Sequence, residues 1–326
     1  MKTLIVSAKD GDFKTLNEAA EALKGGNEET LLKIVPGEYR ESVVFECSNL
    51  TIEGDSSDLI YICDGNHAKK KYPDGREMGT FRSPVLRING DNNTIKNLTI
   101  ENNAGIGFRI GPAIALYSEG DGFRAKNCKL IAHQDTLFTA PLPENDRPSK
   151  QYFKNCYIEG DIDFIFGGAT ALFENCTLFT HDVVAEYRLQ KMIDCSDNDW
   201  DAMQSTALRG FSCAPSTAEG LDYGYLFLNC QFTSNCPRET VFLGRPWRPY
   251  GRAFFVNCTI GNHIKQELFS DWDNEKNRET CLFAIAGCKR PDGTMIEDSG
   301  ENGFATIIGP EEADAYVSDF KSFISA

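Results

Sequence analysis

A chain of 326 residues, 41% apolar and 11% aromatic with 22 Phe, carries enough apolar surface for a continuous core and is not a disordered chain. Its formal net charge of −15 at pH 7 leaves no basic face for phosphate, which argues against a nucleic-acid partner. The apolar run in Met1–Asp10 is far shorter than a secretory leader core, and no later stretch approaches the roughly 18 apolar residues of a membrane span, so a soluble, cytoplasmic protein without a membrane partner is expected.

In chain order, the first predicted element is a helix opened by the capping box Thr15-Leu16-Asn17-Glu18, with Leu16, Ala19, Ala20 and Leu23 on one face. Next comes a repeat, SNLTI at 48–52, KNLTI at 96–100, KNCKL at 126–130, KNCYI at 154–158, ENCTL at 174–178, LNCQF at 228–232 and VNCTI at 256–260. Its Asn residues (49, 97, 127, 155, 175, 229 and 257) lie 48, 30, 28, 20, 54 and 28 residues apart. Units of that length suit coils of a β-solenoid, the longer gaps holding two coils or a loop. Within a unit, alternation puts Cys156 and Ile158, or Cys176 and Leu178, inward on either side of an outward Tyr157 or Thr177. Asn at the preceding bend tolerates left-handed backbone angles and can bond to the Asn of the next coil. Since one coil cannot bury its own apolar face, the units must stack as parallel strands. The repeated Cys residues are therefore packing groups; the twelve Cys contain no C-x-x-C pair, so zinc-ribbon and thioredoxin-like readings lack their key spacing. After Pro310, the spacing of Ala313, Tyr316, Val317 and Phe320 predicts a terminal helix along the outside or over the last coil. Between 30 and 310 almost no 3.6-residue periodicity is sustained, which rules against an alternating α/β enzyme. The expected fold is all-β: one right-handed parallel β-helix domain over 1–326 with an N-terminal capping helix and a C-terminal helix.

Reactive groups cluster among apolar, strand-like neighbours in His133-Gln134-Asp135-Thr136-Leu137-Phe138, in Asp161-Ile162-Asp163-Phe164-Ile165-Phe166-Gly167 and in Leu243-Gly244-Arg245-Pro246-Trp247. In a regular strand Asp163 shares a face with Asp161 and Ile165, where an unpaired carboxylate is costly. Asp135 lies 28 residues before Asp163, the same step as from Asn127 to Asn155, which sets the two carboxylates side by side on neighbouring coils at roughly the 4.8 Å strand spacing. An Arg bracing one of them favours its ionised form, while the neighbour's pKa rises so that it holds a proton. Arg245 is the candidate for the brace, and Trp247 for stacking on a sugar ring.

The strings QDTLF, DFIFG and LGRPW, with GDFKTLNEA near the N-terminus, PGEYRE at 36–41 and GLDYGYLFLNC at 220–230, resemble the signature segments of the pectin methylesterase (pectinesterase) family, in the right order over nearly the whole chain. The resemblance implies a right-handed parallel β-helix, hydrolysis of C6 methyl esters of polygalacturonate without cofactor or metal, and methyl-esterified pectin or oligogalacturonides as the partner of a monomer. The near-neutral ester is compatible with the chain's negative charge. Carried over by motif, Asp163 is the nucleophile, Asp135 the acid and then the base, Gln134 an oxyanion donor and Arg245 the residue that orients Asp163. Trp247, Phe138, Phe166 and Trp272 are the expected substrate contacts.

The chain departs from the family pattern where Pro112 replaces a Gln that serves as an oxyanion donor, since proline offers no donor. Phe138 stands where Tyr is common, and Leu268-Phe269 where Gly-Trp is usual. Pro112 keeps open a catalytically weakened or purely pectin-binding protein, and a chain-cutting lyase or hydrolase on the same architecture is the third reading. Gly210-Phe211-Ser212-Cys213-Ala214 lacks the final Gly of a serine-hydrolase elbow and reads as structural. The four His (67, 133, 181 and 263) have no metal-like spacing, and His133 reads as a satisfied structural residue. Lys69-Lys70-Lys71 reads as a solvated loop.

Overall fold

The computed structural model describes residues 1–143, 147–193, 208–297 and 303–326. Alternating apolar residues in short segments, broken every few positions by Asn, Asp or Gly, give short strands instead of long ones, and the strands assemble into three parallel sheets of eleven, seven and eight strands. From Thr30 to Gly244 each coil contributes one strand to each sheet, while the strands Lys2–Val6, Leu282–Ala286 and Thr306–Ile307 extend the eleven-stranded sheet alone, and neighbouring coils pair in register. Phe123 pairs with Gln151, Lys129 with Tyr157 and Leu137 with Ile165, the same step along the chain in all three sheets. This is the right-handed parallel β-helix that the repeats predict.

The turn asparagines do what their chemistry suggests. Asn49, Asn97, Asn127, Asn155, Asn175, Asn229 and Asn257 all take left-handed angles, with φ between 54° and 59°. Their amides bridge coils: Asn155 Nδ2 donates to Asn127 Oδ1 at 3.3 Å, and Asn127 Nδ2 to Asn97 Oδ1 at 3.2 Å. Just inside the bend, Cys128, Cys156, Cys176, Cys230 and Cys258 are buried free thiols, most bonded to strand carbonyls, as Cys176 Sγ is to the Phe153 carbonyl at 3.5 Å. The ladder has one rung more than the Asn motif announces. Cys288 continues it behind Gly287, which takes the Asn place at φ 59°. A Cβ there would sit 2.3 Å from Asn257 Oδ1, so the side chain is missing where the rung below needs the space. Cys195 lies outside the described residues. Phe153, Phe173, Phe227 and Phe255 stack face to face through the interior at 4.7–4.8 Å between centroids.

The two helices expected from sequence cover open surfaces. Leu16–Leu23 is capped by Thr15, whose side chain accepts the Glu18 N–H, and it buries Leu16, Ala19 and Ala20 in the main core. Glu18 reaches back to the Lys14 N–H, and Glu41 takes the free N–H groups of Leu16 and Asn17, docking the helix beside the strand Val43–Glu46 at the edge of the seven-stranded sheet. Pro310–Ser325 packs along the outside of the eleven-stranded sheet, where Phe320 and Ala313 meet Leu226, Leu228 and Val256, and Tyr316 stacks on Phe254 at 3.9 Å. A third helix, Val183–Ile193, was not foreseen; it leads out of the strand Thr177–Thr180 on the flank that carries His133. Among the described residues no helix is long and apolar enough to cross a membrane.

Candidate active site

The strand Ile162–Gly167 pairs regularly with Leu137–Thr139 on one side but slips against Gly210–Pro215 on the other, where Ile162 faces Phe211 and Ile165 faces Cys213. Three residues thus oppose two, a β-bulge. Asp163 occupies it with φ 50°, which corrects the expectation from strict alternation. Phe164 and Ile165, though consecutive, both point into the core, while Asp163 is turned away from Ile165 into an outer cleft with Phe166. Asp161 faces neither; its carboxylate bonds to His133. Asp135, also left-handed at φ 68°, sits one coil below Asp163, and its N–H donates to the Ile162 carbonyl at 3.1 Å. The constant step between coils therefore brings the two carboxylates to one cleft of about 290 Å³.

Arg245 follows the strand Val241–Gly244, two coils beyond Asp163 and past the strand Gly210–Pro215, its N–H held by the Cys213 carbonyl at 3.0 Å. Its fork grips Asp163 bidentately, Nε to Oδ1 at 2.8 Å and Nη2 to Oδ2 at 2.7 Å. The guanidinium is itself sandwiched between the rings of Phe211 and Trp272, 3.6 Å from each centroid. The Asp135 carboxyl has no hydrogen-bond partner among the described residues. The electrostatics follow. Burial pushes the Asp163 carboxyl above its ordinary range, Arg245 pulls against that rise, and Asp161 adds to it. Asp135 is driven well above its ordinary value, by burial first and then by the negative charges of Asp163 and Asp161, with no hydrogen bond to oppose them. Of the two, Asp163 loses its proton first and Asp135 keeps one.

Gln134 lines the same cleft, and its side-chain amide has no partner among the described residues. Its backbone carbonyl accepts the Ala113 N–H at 3.1 Å, which ties it to the segment containing Pro112. Pro112 uses its carbonyl on the Ala68 N–H and does not line the cleft. Trp247, Phe166 and Trp272 line the cleft, whereas Phe138 lies one layer down, 5% exposed, packed under Phe81 at 4.9 Å and Phe166 at 4.7 Å. Two further residues reach the cleft from the short 3-10 turn Thr80–Arg82 before the Leu86 strand: Thr80 and Phe81, which is 43% exposed. A Phe set among Gly, Thr and Arg in Gly79-Thr80-Phe81-Arg82 is the one signal that marked them.

The weaker candidates fall outside the cleft. Ser212 is buried within the strand Gly210–Pro215. Lys69, Lys70 and Lys71 are solvated. Among the described residues no group of His, Cys, Asp and Glu is arranged to hold a metal ion. Burial pushes the His263 imidazole down to about 4, with Arg290 adding to the effect.

Comparison with known proteins gives the family and the fold. Residues 3–325 match the Pectinesterase family model. Pectinesterase 31 of Arabidopsis thaliana is 31% identical over 294 residues, 88% of this chain and 82% of that protein. Pectinesterase/pectinesterase inhibitor 18 of the same plant is 28% identical over 323 residues, 96% of this chain but 52% of that protein, so the chain spans about half the length of such relatives. Among solved structures, pectin methylesterase PemA from Erwinia chrysanthemi superposes with a TM-score of 0.75 at 23% identity, covering 97% of this chain and 94% of that one. The carrot pectin methylesterase gives 0.73 at 21% identity, covering 96% and 90%. These structural likenesses establish a shared fold, and the match over almost every residue, with the strings QDTLF, DFIFG and LGRPW converging on one cleft, makes the chain a member of the pectinesterase family.

Proposed function

We propose that the chain hydrolyses the C6 methyl esters of galacturonan in pectin or its oligomers, leaving free carboxylate and methanol, through an acyl-enzyme on Asp163. The observation that carries this is the asymmetry of the carboxylate pair: one is clamped by Arg245 through two hydrogen bonds, the other is buried with no hydrogen-bond partner among the described residues. The ionised Asp163 attacks the ester carbonyl carbon, and the oxyanion that forms takes a hydrogen bond from the Gln134 amide. Asp135 gives its proton to the departing methoxide as the tetrahedral intermediate collapses, leaving an anhydride between Asp163 and the sugar carboxyl. Now ionised, Asp135 takes a proton from water, whose oxygen attacks the acyl carbon, and Asp163 leaves as carboxylate. All of these groups are side chains, so the scheme calls for no metal or cofactor. Trp247 and Phe166 offer apolar faces for the sugar ring, and the carbohydrate is the sole partner in this reading: residues 1–326 act as one domain and as a monomer.

Methanol released from methyl-esterified pectin, measured by an alcohol oxidase couple, tests the proposal. Wild type releases it and Asp163→Asn does not; release that survives the substitution overturns the assignment. Pro112 supports a second reading, in which the cleft binds pectin without turnover. Pectin binding by the wild type with no methanol released selects that reading.

A further inference from the structure

Behind the two cleft aspartates lies a third buried carboxylate, Asp161, 1% exposed. Such a group two residues from a nucleophile that must ionise works against it, because each negative charge raises the pKa of its neighbour. Asp161 is not left alone. Its Oδ2 lies 3.0 Å from Nδ1 of His133, the residue immediately before Gln134 and Asp135. The backbones are joined at the same point, since the Asp161 N–H donates to the His133 carbonyl at 3.1 Å. The other ring nitrogen of His133 is 3.5 Å from Glu186 on the helix Val183–Ile193. Burial opposes a charge on His133, but its hydrogen bonds to Asp161 and Glu186 prevail and push its pKa up to about 10. The remaining neighbours are accounted for. The ring of His181 lies 5.3 Å from that of His133, tilted by 33°, and is bonded to Glu159, which also takes the Tyr157 hydroxyl. Around Asp161 stand Asp163, Asp135, Arg245 bonded to Asp163, the half-buried Cys236 thiol, and Asp182 paired with Arg209.

We propose that His133 and Asp161 are a positioning pair of cancelling charge, which ties the Gln134-Asp135 segment to the nucleophile strand and keeps the charge of the third carboxylate from suppressing ionisation of Asp163. The pair is separated along the chain by the same step that joins Asp135 to Asp163, so it is a second cross-coil pair directly beside the first. Neither residue touches substrate. The proposal rests on the roles given above to Asp135 and Asp163.

Its signature is a pair of opposite shifts. In the full chain labelled with carbon-13 aspartate, NMR titration follows the Asp163 carboxyl without any substrate, and the acid limb of kcat/KM for methanol release reads the same ionisation. His133→Asn leaves Asp161 unpaired, and both readouts move to higher pH by about one unit, a roughly tenfold loss of kcat/KM below the limb. Asp161→Asn leaves the imidazolium with only the more distant, more exposed Glu186 as its anionic partner, and both move to lower pH. The double variant H133N/D161N carries neither charge and returns to the wild-type position, although each single variant departs from it. Should His133→Asn fail to fold, D161N and the double variant still decide the matter. Limbs and titrations that stay fixed in all variants, with melting temperature or activity falling equally at every pH, overturn the proposal and reduce the pair to packing. Methanol release with unmoved titrations sinks the pair and keeps the esterase reading; the opposite shifts without methanol release do the reverse.

Discussion

Removal of the Arg245 fork tests the electrostatic argument most directly. Its two hydrogen bonds, 2.8 and 2.7 Å long, fall on a carboxylate that is buried and has Asp161 close by. Hydrogen bonds to charged groups contribute about 1.5–3 kcal/mol each, and the two are not fully additive, so their joint loss in Arg245→Met removes about 3–4 kcal/mol from the ionised form of Asp163. At 1.36 kcal/mol per pKa unit this moves the acid limb of kcat/KM upward by about 2–3 units, a loss of about 100- to 1000-fold below the new limb that shrinks as pH rises. Arg245→Lys keeps a positive charge without the planar fork and falls between the two. Since Phe211 and Trp272 hold the guanidinium from both faces, the shorter Lys amine also loses two stacking contacts. The assay is methanol release against pH under kcat/KM conditions, with circular dichroism to show that the coil stack is intact. An acid limb in Arg245→Met that coincides with the wild-type limb refutes the reasoning, whatever the overall loss of rate.

Asp135 makes a prediction about stability. Burial, then the charges of Asp163 and Asp161, hold its pKa well above the ordinary 3.8, so the native state loses stability as pH rises from about 4 towards that raised value, a linkage that Asn lacks. Asp135→Asn is therefore inactive yet more stable than wild type at pH 7, by about 1–3 kcal/mol, with little gain at pH 4; equal urea midpoint differences at both pH values refute this. Asn155→Ala keeps φ 54° without the polar side chain that makes left-handed angles tolerable to Asn and deletes the bond to Asn127, costing about 1–2 kcal/mol in urea unfolding, whereas Asn155→Gly costs less. A methyl group on Gly107 falls 2.5 Å from Gln134 Cβ, so Gly107→Ala displaces the oxyanion amide and lowers kcat by about tenfold or more, with a smaller change in KM.

The stacked coils were legible in the sequence because each level of a coil imposes a different chemistry that recurs. The bend asks for a residue that accepts a positive φ, the next position for something small and buried, and the third, past an outward residue, for a large apolar group. Asn, Cys and Ile or Leu meet those demands in KNCYI and its relatives. The last rung escaped because Gly287 satisfies the same φ without the Asn side chain that made the motif visible. The carboxylate pair was legible for the same reason as the fold, since a constant step between coils turns a sequence offset into a neighbourhood. The bulge was not, because Asp-Ile-Asp-Phe-Ile-Phe reads as regular alternation, and the slip is imposed by the partner strand Gly210–Pro215, which arrives only after the helix Val183–Ile193 has intervened. Phe81 and Thr80 arrive from a short turn with no periodicity, and nothing local places such a turn over a cleft. His133 and Asp161 were open to the same offset argument as the two catalytic candidates; reading His133 as a satisfied residue was right about its hydrogen bonds and silent about which carboxylate it satisfies.

The bulge and the left-handed backbone of Asp163 share one physical cause. In an unbroken strand the side chain at 163 projects to the side opposite that at 164, and Phe164 and Ile165 cannot both enter the core. The extra residue lets both do so, burying two large side chains at 0% exposure, and turns the Asp163 carboxylate outward to Arg245. A left-handed non-glycine residue costs of order 1–3 kcal/mol, comparable with burying one such side chain at about 1.5–3 kcal/mol. The packing of Phe164 and Ile165 is thus large enough to hold Asp163 in its strained conformation, independent of any substrate. The same reasoning makes Phe164 more than a core residue: Phe164→Ala takes away a large part of the reason for the bulge, so it loosens the grip of Arg245 on Asp163 and lowers kcat along with stability. A swap that keeps much of the apolar bulk, Phe164→Leu, leaves kcat closer to wild type than Phe164→Ala. Equal loss of kcat in the two variants, once both are shown to be folded at the assay temperature, disconnects the packing from the placement of the nucleophile.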